Sequence, residues 1–321
     1  MPRHHVPVLP GEAMDLLGLQ PGGAALDATV GDGGHARLMW DAIGRQGRFV
    51  GIDVDKMVSE AISTEMRQHV ANADMLTGNF GDLESLVLGL RDGATLRFDA
   101  VLFDLGWRVG QLESVPGLSL SGADSPLDMR LAGENGAESA AELLATMPED
   151  EISEMLASNS DERFAGPIAA AIVRQRRAGA PITTAGDLCR LVMEAVPRRA
   201  WPKRTHVATK TFSALRILVN RELEMLRRGV LAAAQRLASG GTLVVIAFHG
   251  TEDRIVKQLF REMSGVTSGT QTAAAFRLLT PHVVHPLREE TLRNRRSRSA
   301  RLRAIRRRPM MGEENPGCHP Q

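Results

Sequence analysis

Three carboxylates stand at the ends of apolar runs: Asp27 in Ala24-Ala-Leu-Asp27, Asp53 in Phe49-Val-Gly-Ile-Asp53, and Asp104 in Val101-Leu-Phe-Asp104. Between the first two lies Gly31-Asp-Gly-Gly-His35, followed by apolar residues at helical spacing (Ala36, Met39, Trp40, Ile43). An apolar strand, a glycine turn and a helix open a nucleotide-sized crevice in an α/β sheet, where backbone approaches a ligand that a Cβ would obstruct. Asp53 follows Gly33 by 20 residues, at the end of the second strand. A carboxylate there accepts ribose hydroxyls, and Asp104 ends a later strand over the same crevice.

Gly31-x-Gly33-x-x-Ala36 also fits a dinucleotide fingerprint, which is a weak signal alone. Asp27 favours S-adenosylmethionine, because it sits where methyltransferases carry an acid near the donor's amino-acid end. Asp104, and the lack of a second glycine turn, point the same way. A dinucleotide and a purely structural turn remain as alternatives. His35 opens the helix, so its backbone N–H faces a ligand whatever its side chain does; a structural histidine is the competing reading.

A second polar group, Phe248-His-Gly-Thr-Glu-Asp-Arg254, follows the apolar run Thr242-Leu-Val-Val-Ile-Ala. It reads either as substrate-side chemistry at the same sheet edge as Asp104 or as capping of the helix that follows. Near the end of the chain, Arg288 to Arg308 holds ten Arg against two Glu, although the whole chain carries a net charge of only +1. Arginine forks pair with phosphate, so this stretch reads as an RNA contact or as a solvated basic terminus.

The elements that must position these residues alternate. Strands are expected near 24–30, 48–54, 74–80, 98–106 and 242–249, with helices near 56–68, 82–90, 209–238 and 251–263. A short amphipathic helix lies within 4–20, and an apolar extended stretch covers 276–285. From Leu112 to about Thr205 no strand is evident: a Gly/Pro/Ser-rich loop leads to Pro126-Leu-Asp-Met-Arg130 and then to helical stretches near 139–146, 149–157, 161–177 and 184–196. This predicts a helical insertion in a discontinuous core domain.

Length and composition (321 residues, 43% hydrophobic, 24% charged) suit one or two globular domains. No apolar run reaches membrane-spanning length and Met1-Pro-Arg-His-His lacks an apolar leader core, so the cytoplasm is the expected compartment. Two cysteines, Cys189 and Cys318, make neither a disulfide framework nor a zinc cluster. There is no Tyr, and only three Trp and nine Phe are available for base stacking.

Taken together, several stretches resemble one family, the bacterial 16S ribosomal RNA cytosine-N4 methyltransferases (RsmH, also called MraW). They are His5-Val-Pro-Val-Leu9, Asp27-Ala-Thr-x-Gly-Asp-Gly-Gly-His35, Gly51-Ile-Asp53, Asn79-Phe80, Phe103-Asp-Leu-Gly106, Gln111-Leu112, Pro126-Leu-Asp-Met-Arg130, Asp161-Glu-Arg-Phe-Ala165, Thr211-Phe-x-Ala-Leu-Arg-Ile217, Glu252-Asp-Arg-Ile-Val-Lys257 and Arg298-Ser-Ala-x-Leu-Arg303. Pro-Leu-Asp-Met-Arg and the Glu-Asp-Arg-Ile-Val-Lys block are the specific signals.

The resemblance implies a Rossmann-like class I methyltransferase sheet with an inserted all-helical domain. The sheet domain would span 1–112 and 206–321, with a basic tail at 288–308, and the insertion 113–205. It carries cofactor contacts onto Gly33, Gly34, His35, Asp53, Phe80, Asp104 and Gln111. Asp104 and His249 become the candidate catalytic residues. Asp128, Arg130, Asp253, Arg254, Arg295, Arg298, Arg301 and Arg303 become the candidate RNA contacts. The expected partners are ribosomal RNA or the small ribosomal subunit and a second copy of the chain, with no metal and no membrane.

Departures gather on the substrate side: Trp107-Arg108-Val109 replaces Val-Ser-Ser, Gly250-Thr251 replaces Ser-Leu, and Asn159-Ser160 replaces an aromatic-Gly pair. Cytosine N4-methylation is the expected activity. The alternatives are methylation of another RNA position or of a small molecule, and a non-catalytic RNA-binding assembly factor.

Overall fold

A computed structural model describes residues 6–106, 115–120, 122–131, 138–266 and 274–309. The chain falls into two compact units, Met1–Gly106 with Glu224–Gln321, and Trp107–Leu223.

The first unit is a seven-stranded sheet: β1 (Ala24–Asp27), β2 (Arg48–Asp53), β3 (Asn72–Thr77), β4 (Phe98–Asp104), β5 (Leu237–Ala247), β6 (Phe276–Leu278) and β7 (Arg301–Arg307). The strand order is β3-β2-β1-β4-β5-β7-β6. β1 to β5 pair in parallel, whereas β7 runs antiparallel to both β5 and β6. The expected α/β class holds. The order reverses between β1 and β4, so the crevice of such a sheet opens there.

β1, β2, β4 and the second half of β5 read as near-continuous apolar runs because both faces are covered. Alternation sorts them. Ala25, Phe49, Ala100, Leu102, Val244, Ile246, Leu302 and Ala304 join the core formed with α1 (Pro10–Leu17), α2 (Gly34–Ile43) and α3 (Lys56–His69). Leu26, Val50, Val101, Phe103, Leu243, Val245 and Ile305 join the opposite core, with α4 (Leu83–Leu88) and the later helices α10 (Glu222–Arg236) and α11 (Gly250–Met263).

The second unit is helical: α5 (Ala140–Thr146), α6 (Glu149–Ser160), α7 (Ala165–Arg177), α8 (Ala185–Ala195) and α9 (Thr209–Val219). They share one core that includes Leu144, Leu156, Ile172, Leu188 and Leu215. Capping boxes fix two of the starts, Ser139 with Glu142 and Thr184 with Asp187. α9 packs Phe212 and Leu215 into this core, so the helical unit extends to Leu223, beyond the expected 205.

Three local expectations change. The single helix at 209–238 is two helices, because Asn220 turns its side chain back onto the Arg216 carbonyl and Arg221 takes a φ of 50°. Ser239-Gly240-Gly241 is not a stop between helix and strand. Leu237 is fully buried and already pairs with Phe98, and a register shift lets β5 absorb the extra residues. The arginine-rich stretch also departs from a terminal tail. α12 (Arg288–Arg293) and a helical turn at Arg295–Ser299 lead into β7, whose Leu302, Ala304 and Ile305 are buried between the arginines.

Candidate active site

The glycine turn is shaped by backbone geometry. Gly31 and Gly33 take φ values of 52° and 77°, in the left-handed region. A Cβ on Gly33 would also lie 2.8 Å from Ile62 Cδ1. Gly34 and His35 then form the first turn of α2, whose N–H groups lack intrahelical partners and face the strand ends. Asp53 braces the turn as well as ending β2: Oδ2 accepts the Gly31 N–H at 2.8 Å and Oδ1 the Asp55 N–H at 2.9 Å.

The structure brings Asp27, His35 and Asp104 together. His35 is 4% exposed; its Nδ1 lies 3.3 Å from Asp104 Oδ2 and its Nε2 2.9 Å from the Val8 carbonyl. Both ring nitrogens therefore face acceptors, which only the doubly protonated imidazolium satisfies. Burial alone pushes the imidazole pKa down, but the hydrogen bond and charge of Asp104 outweigh it and raise the pKa above 6.5. Asp27 is fully enclosed, and burial pushes its carboxyl from 3.8 up to about 7, against the Thr29 N–H and the His35 charge.

Asp104 is placed from three sides. β1 and β5 flank its strand, and its backbone N–H donates to Thr29 Oγ1 at 2.6 Å. Oδ2 meets His35, while Oδ1 is buried without a hydrogen-bond partner among the described residues. A buried, unpaired carboxylate oxygen is expensive to keep and points to a ligand donor.

Phe80 begins a helical turn after β3, capped by the Asn79 side chain on the Gly81 N–H at 2.8 Å. Its ring meets Phe103 edge-on, with centroids 5.6 Å apart. Gln111 and Trp107-Arg108-Val109 lie outside the described residues.

This chain matches the model of the MraW methylase family over residues 2–308. The chain belongs to the MraW methylase family. It resembles ribosomal RNA small subunit methyltransferase H of Trichlorobacter lovleyi, at 42% identity over 310 residues covering 94% of this chain and 97% of that protein. It is similarly close to the protein of that name from Pelobacter propionicus, at 39% over 311 residues with the same coverage. The enzyme of Desulfotalea psychrophila is 38% identical over 300 residues, 93% of this chain and 96% of that protein. The chain is an S-adenosylmethionine-dependent methyltransferase.

The residues present fit that cofactor. The left-handed glycines, the open first turn of α2 and the carboxylate ending β2 supply the cradle and acceptor that a nucleoside with an amino-acid arm requires.

His249 follows β5, beside the end of β4, where the Leu105 N–H donates to the Ile246 carbonyl at 3.0 Å. The motif around it does cap α11: Glu252 Oε2 accepts the Phe248 and His249 N–H groups at 2.9 and 3.0 Å. Asp253 and Arg303, expected at RNA, instead form a fork pair inside the sheet unit. Arg303 Nε and Nη2 lie 2.6 and 3.1 Å from the two Asp253 oxygens, and Arg303 is 7% exposed. Arg303 is turned inward because β7 is an interior strand and Arg303 shares the face of Ile305, which packs into the core with α11.

Arg254, Arg295 and Arg298 are exposed and Arg301 is half-buried. In the helical unit, Arg130 forks onto Asp128 at 2.6 and 2.9 Å. The loop around that pair is built by Leu127 and Met129, both buried, and by Asn220, whose side chain grips the Met129 carbonyl and the Leu131 N–H at 2.9 Å each.

The side-chain role of His35 and the Val8 carbonyl escaped sequence reasoning. The available signal was His5-Val-Pro-Val-Leu9, a motif with no chemical side chain in its Val6–Leu9 part. Its function is backbone: the Leu9 N–H donates to Glu290 Oε1 at 2.9 Å and the Val6 carbonyl accepts from Asn294 at 3.1 Å, which seats Val8 over His35.

Proposed function

We propose that this methyltransferase methylates the exocyclic N4 of a cytosine in 16S ribosomal RNA of the small subunit, in the cytoplasm. The observation that carries the reading is Asp104 Oδ1, an unpaired buried acceptor held beside the His35 imidazolium. The names of the relatives supply the acceptor class.

S-adenosylmethionine, when bound, supplies a methyl group on a cationic sulfur, already activated for displacement. Gly33, Gly34, His35, Asp53, Phe80 and Gln111 would hold it. The chain's own residues do the rest. The His35 ring fixes Oδ2, so Oδ1 is left to accept an N–H. An exocyclic amine is a weak nucleophile, because its lone pair is delocalised into the ring. An acceptor on its N–H returns density to the nitrogen and a base takes the proton. Asp104 and His249, at neighbouring strand ends, line that space. Exposed Arg254, Arg295 and Arg298, with Arg130 of the helical unit, supply phosphate contacts.

The test is transfer of labelled methyl to small subunits from a strain that lacks the mark, with nucleoside mass spectrometry. N4-methylcytidine is expected; another methylated nucleoside, or none, overturns the reading. Asp104→Asn is expected to lower kcat about 100-fold or more, and His249→Ala by less.

A further inference from the structure

At the β6 edge of the sheet unit, a groove of about 390 Å³ runs between α11 and the antiparallel β6–β7 pair. Its apolar floor includes Phe260, Phe276 and Leu278. Its walls are cationic. Lys257 and Arg261 are four residues apart on α11 and so share a face. Arg277 projects from the edge strand, and Arg308 follows β7.

All four cations are exposed, and none has a carboxylate partner among the described residues. The fifth cation of the groove, Arg303, is neutralised by Asp253. No Asp or Glu is among the described lining residues. Asp253 of α11 is thus spent inside the fold, and the charged side chains that line the groove and reach solvent are cationic.

We propose that this groove binds the phosphodiester backbone of a single-stranded segment of the RNA substrate, away from the methylated nucleotide. The volume lies in the range of nucleotide-sized ligand sites. The paired arrangement of cations over an apolar floor suits phosphates flanking a sugar and base. β6 lies three strands from β4, roughly 14 Å across the sheet at the usual inter-strand spacing. The groove is therefore a separate subsite, which anchors the substrate while Asp104 and His249 face its target. This assignment rests on the acceptor being RNA. It also explains the Glu252-Asp-Arg-Ile-Val-Lys257 block: Glu252 caps α11, Asp253 holds β7 through Arg303, and Lys257 lines the groove.

The experiment uses the full chain and two double variants, Lys257→Gln/Arg261→Gln on the helix wall and Arg277→Gln/Arg308→Gln on the strand wall. Binding of a fluorescent uridine oligonucleotide is measured against salt, alongside methyl transfer to unmethylated small subunits. Each pair is expected to weaken oligonucleotide binding roughly tenfold or more. The slope of log affinity against log salt should fall by about 0.7 for each phosphate that is no longer neutralised. KM for subunits should rise while kcat and S-adenosylmethionine affinity stay unchanged.

Unchanged oligonucleotide affinity and salt slope in both pairs, with cofactor affinity intact, overturns the groove whether or not the wild type methylates subunits. A change in self-association without a change in RNA binding also overturns it, and makes the groove an interface between copies. If wild-type protein binds the oligonucleotide through the groove but methylates no RNA, the acceptor reading fails while the groove stands. Should one pair misfold, judged by lost cofactor binding, the pair on the other wall decides.

Discussion

Two acid–arginine forks, each carried by a specific motif, occupy opposite situations. Asp253–Arg303 joins α11 to β7 across 50 residues, with side chains 16% and 9% exposed. Asp128–Arg130 closes within a single loop, with side chains 30% and 37% exposed. Their distances are nearly the same, 2.6 Å at the shorter arm in each. The difference is solvent. In the first, both charges are largely withdrawn from water; in the second, water replaces either partner. An Asp/Arg pair in a motif therefore says nothing about its role until its burial is known.

The largest effect expected is at the buried fork. Asp253→Ala leaves Arg303 charged and enclosed, and should lower unfolding free energy by about 3–5 kcal/mol in chemical denaturation. The double variant Asp253→Leu/Arg303→Met should regain most of that loss. If the single change were as mild as a change at Asp128, the contrast would collapse.

Next comes Asn220→Ala in the helical unit. It removes side-chain bonds to the Met129 and Arg216 carbonyls and to the Leu131 N–H from a residue 3% exposed. A loss of about 1–3 kcal/mol is expected from leaving those groups unpaired. This would show that the Asp128 loop is held by an amide and not by its ion pair.

The pH dependence of the cofactor-free protein tests a second buried charge group. His35, with its pKa raised, adds stability that is complete below 6.5 and is lost as pH rises through its folded value. Asp27 ionises near 3.8 in the unfolded chain but only near 7 when folded, so its burial subtracts stability progressively between those values and fully above them. Both act in one direction: Tm should fall as pH rises, through Asp27 between about 4 and 7 and through His35 above 6.5, and Asp27→Asn should flatten the part below about 7. A Tm that is level or rising above 6.5 would contradict the imidazolium assignment.

The smallest effect is expected at the exposed fork. Arg130→Gln should leave Tm unchanged and raise KM for small subunits, a split measurable by melting and methyl-transfer assays on one preparation. A melting change comparable with that of Asp253→Ala would erase the distinction between the forks.

Much of the sheet unit was legible because its signals are local. Apolar runs ending in Asp27, Asp53 and Asp104, with glycines that tolerate positive φ, announce strands and a crevice wherever they occur. What failed to show was whatever depends on distant partners. Asn220 looks like any helical polar residue until Met129 is beside it. The helix stop at Ser239-Gly240-Gly241 was real in propensity, but burial of Leu237 against Phe98 overrode it. His35 was legible as a backbone contact only, because its acceptors come from Val8 and Asp104, 27 and 69 residues away.

By itself the sequence determined the α/β class, the crevice residues of the first two strands, the helical insertion and the family resemblance, since each is written in periodicity, spacing or motif. Only the tertiary structure decided which charges are sealed in and which face water. The Arg301-Leu-Arg-Ala-Ile-Arg-Arg307 run has the composition of a solvated tail, yet it lies between β5 and β6. Pairing with both neighbours buries its apolar residues, which sends Arg303 inward to Asp253 and leaves the unpaired cations of the β6 edge in solvent. Electrostatic roles depend on local dielectric and on partners from remote parts of the chain, and neither exists until the sheet has formed.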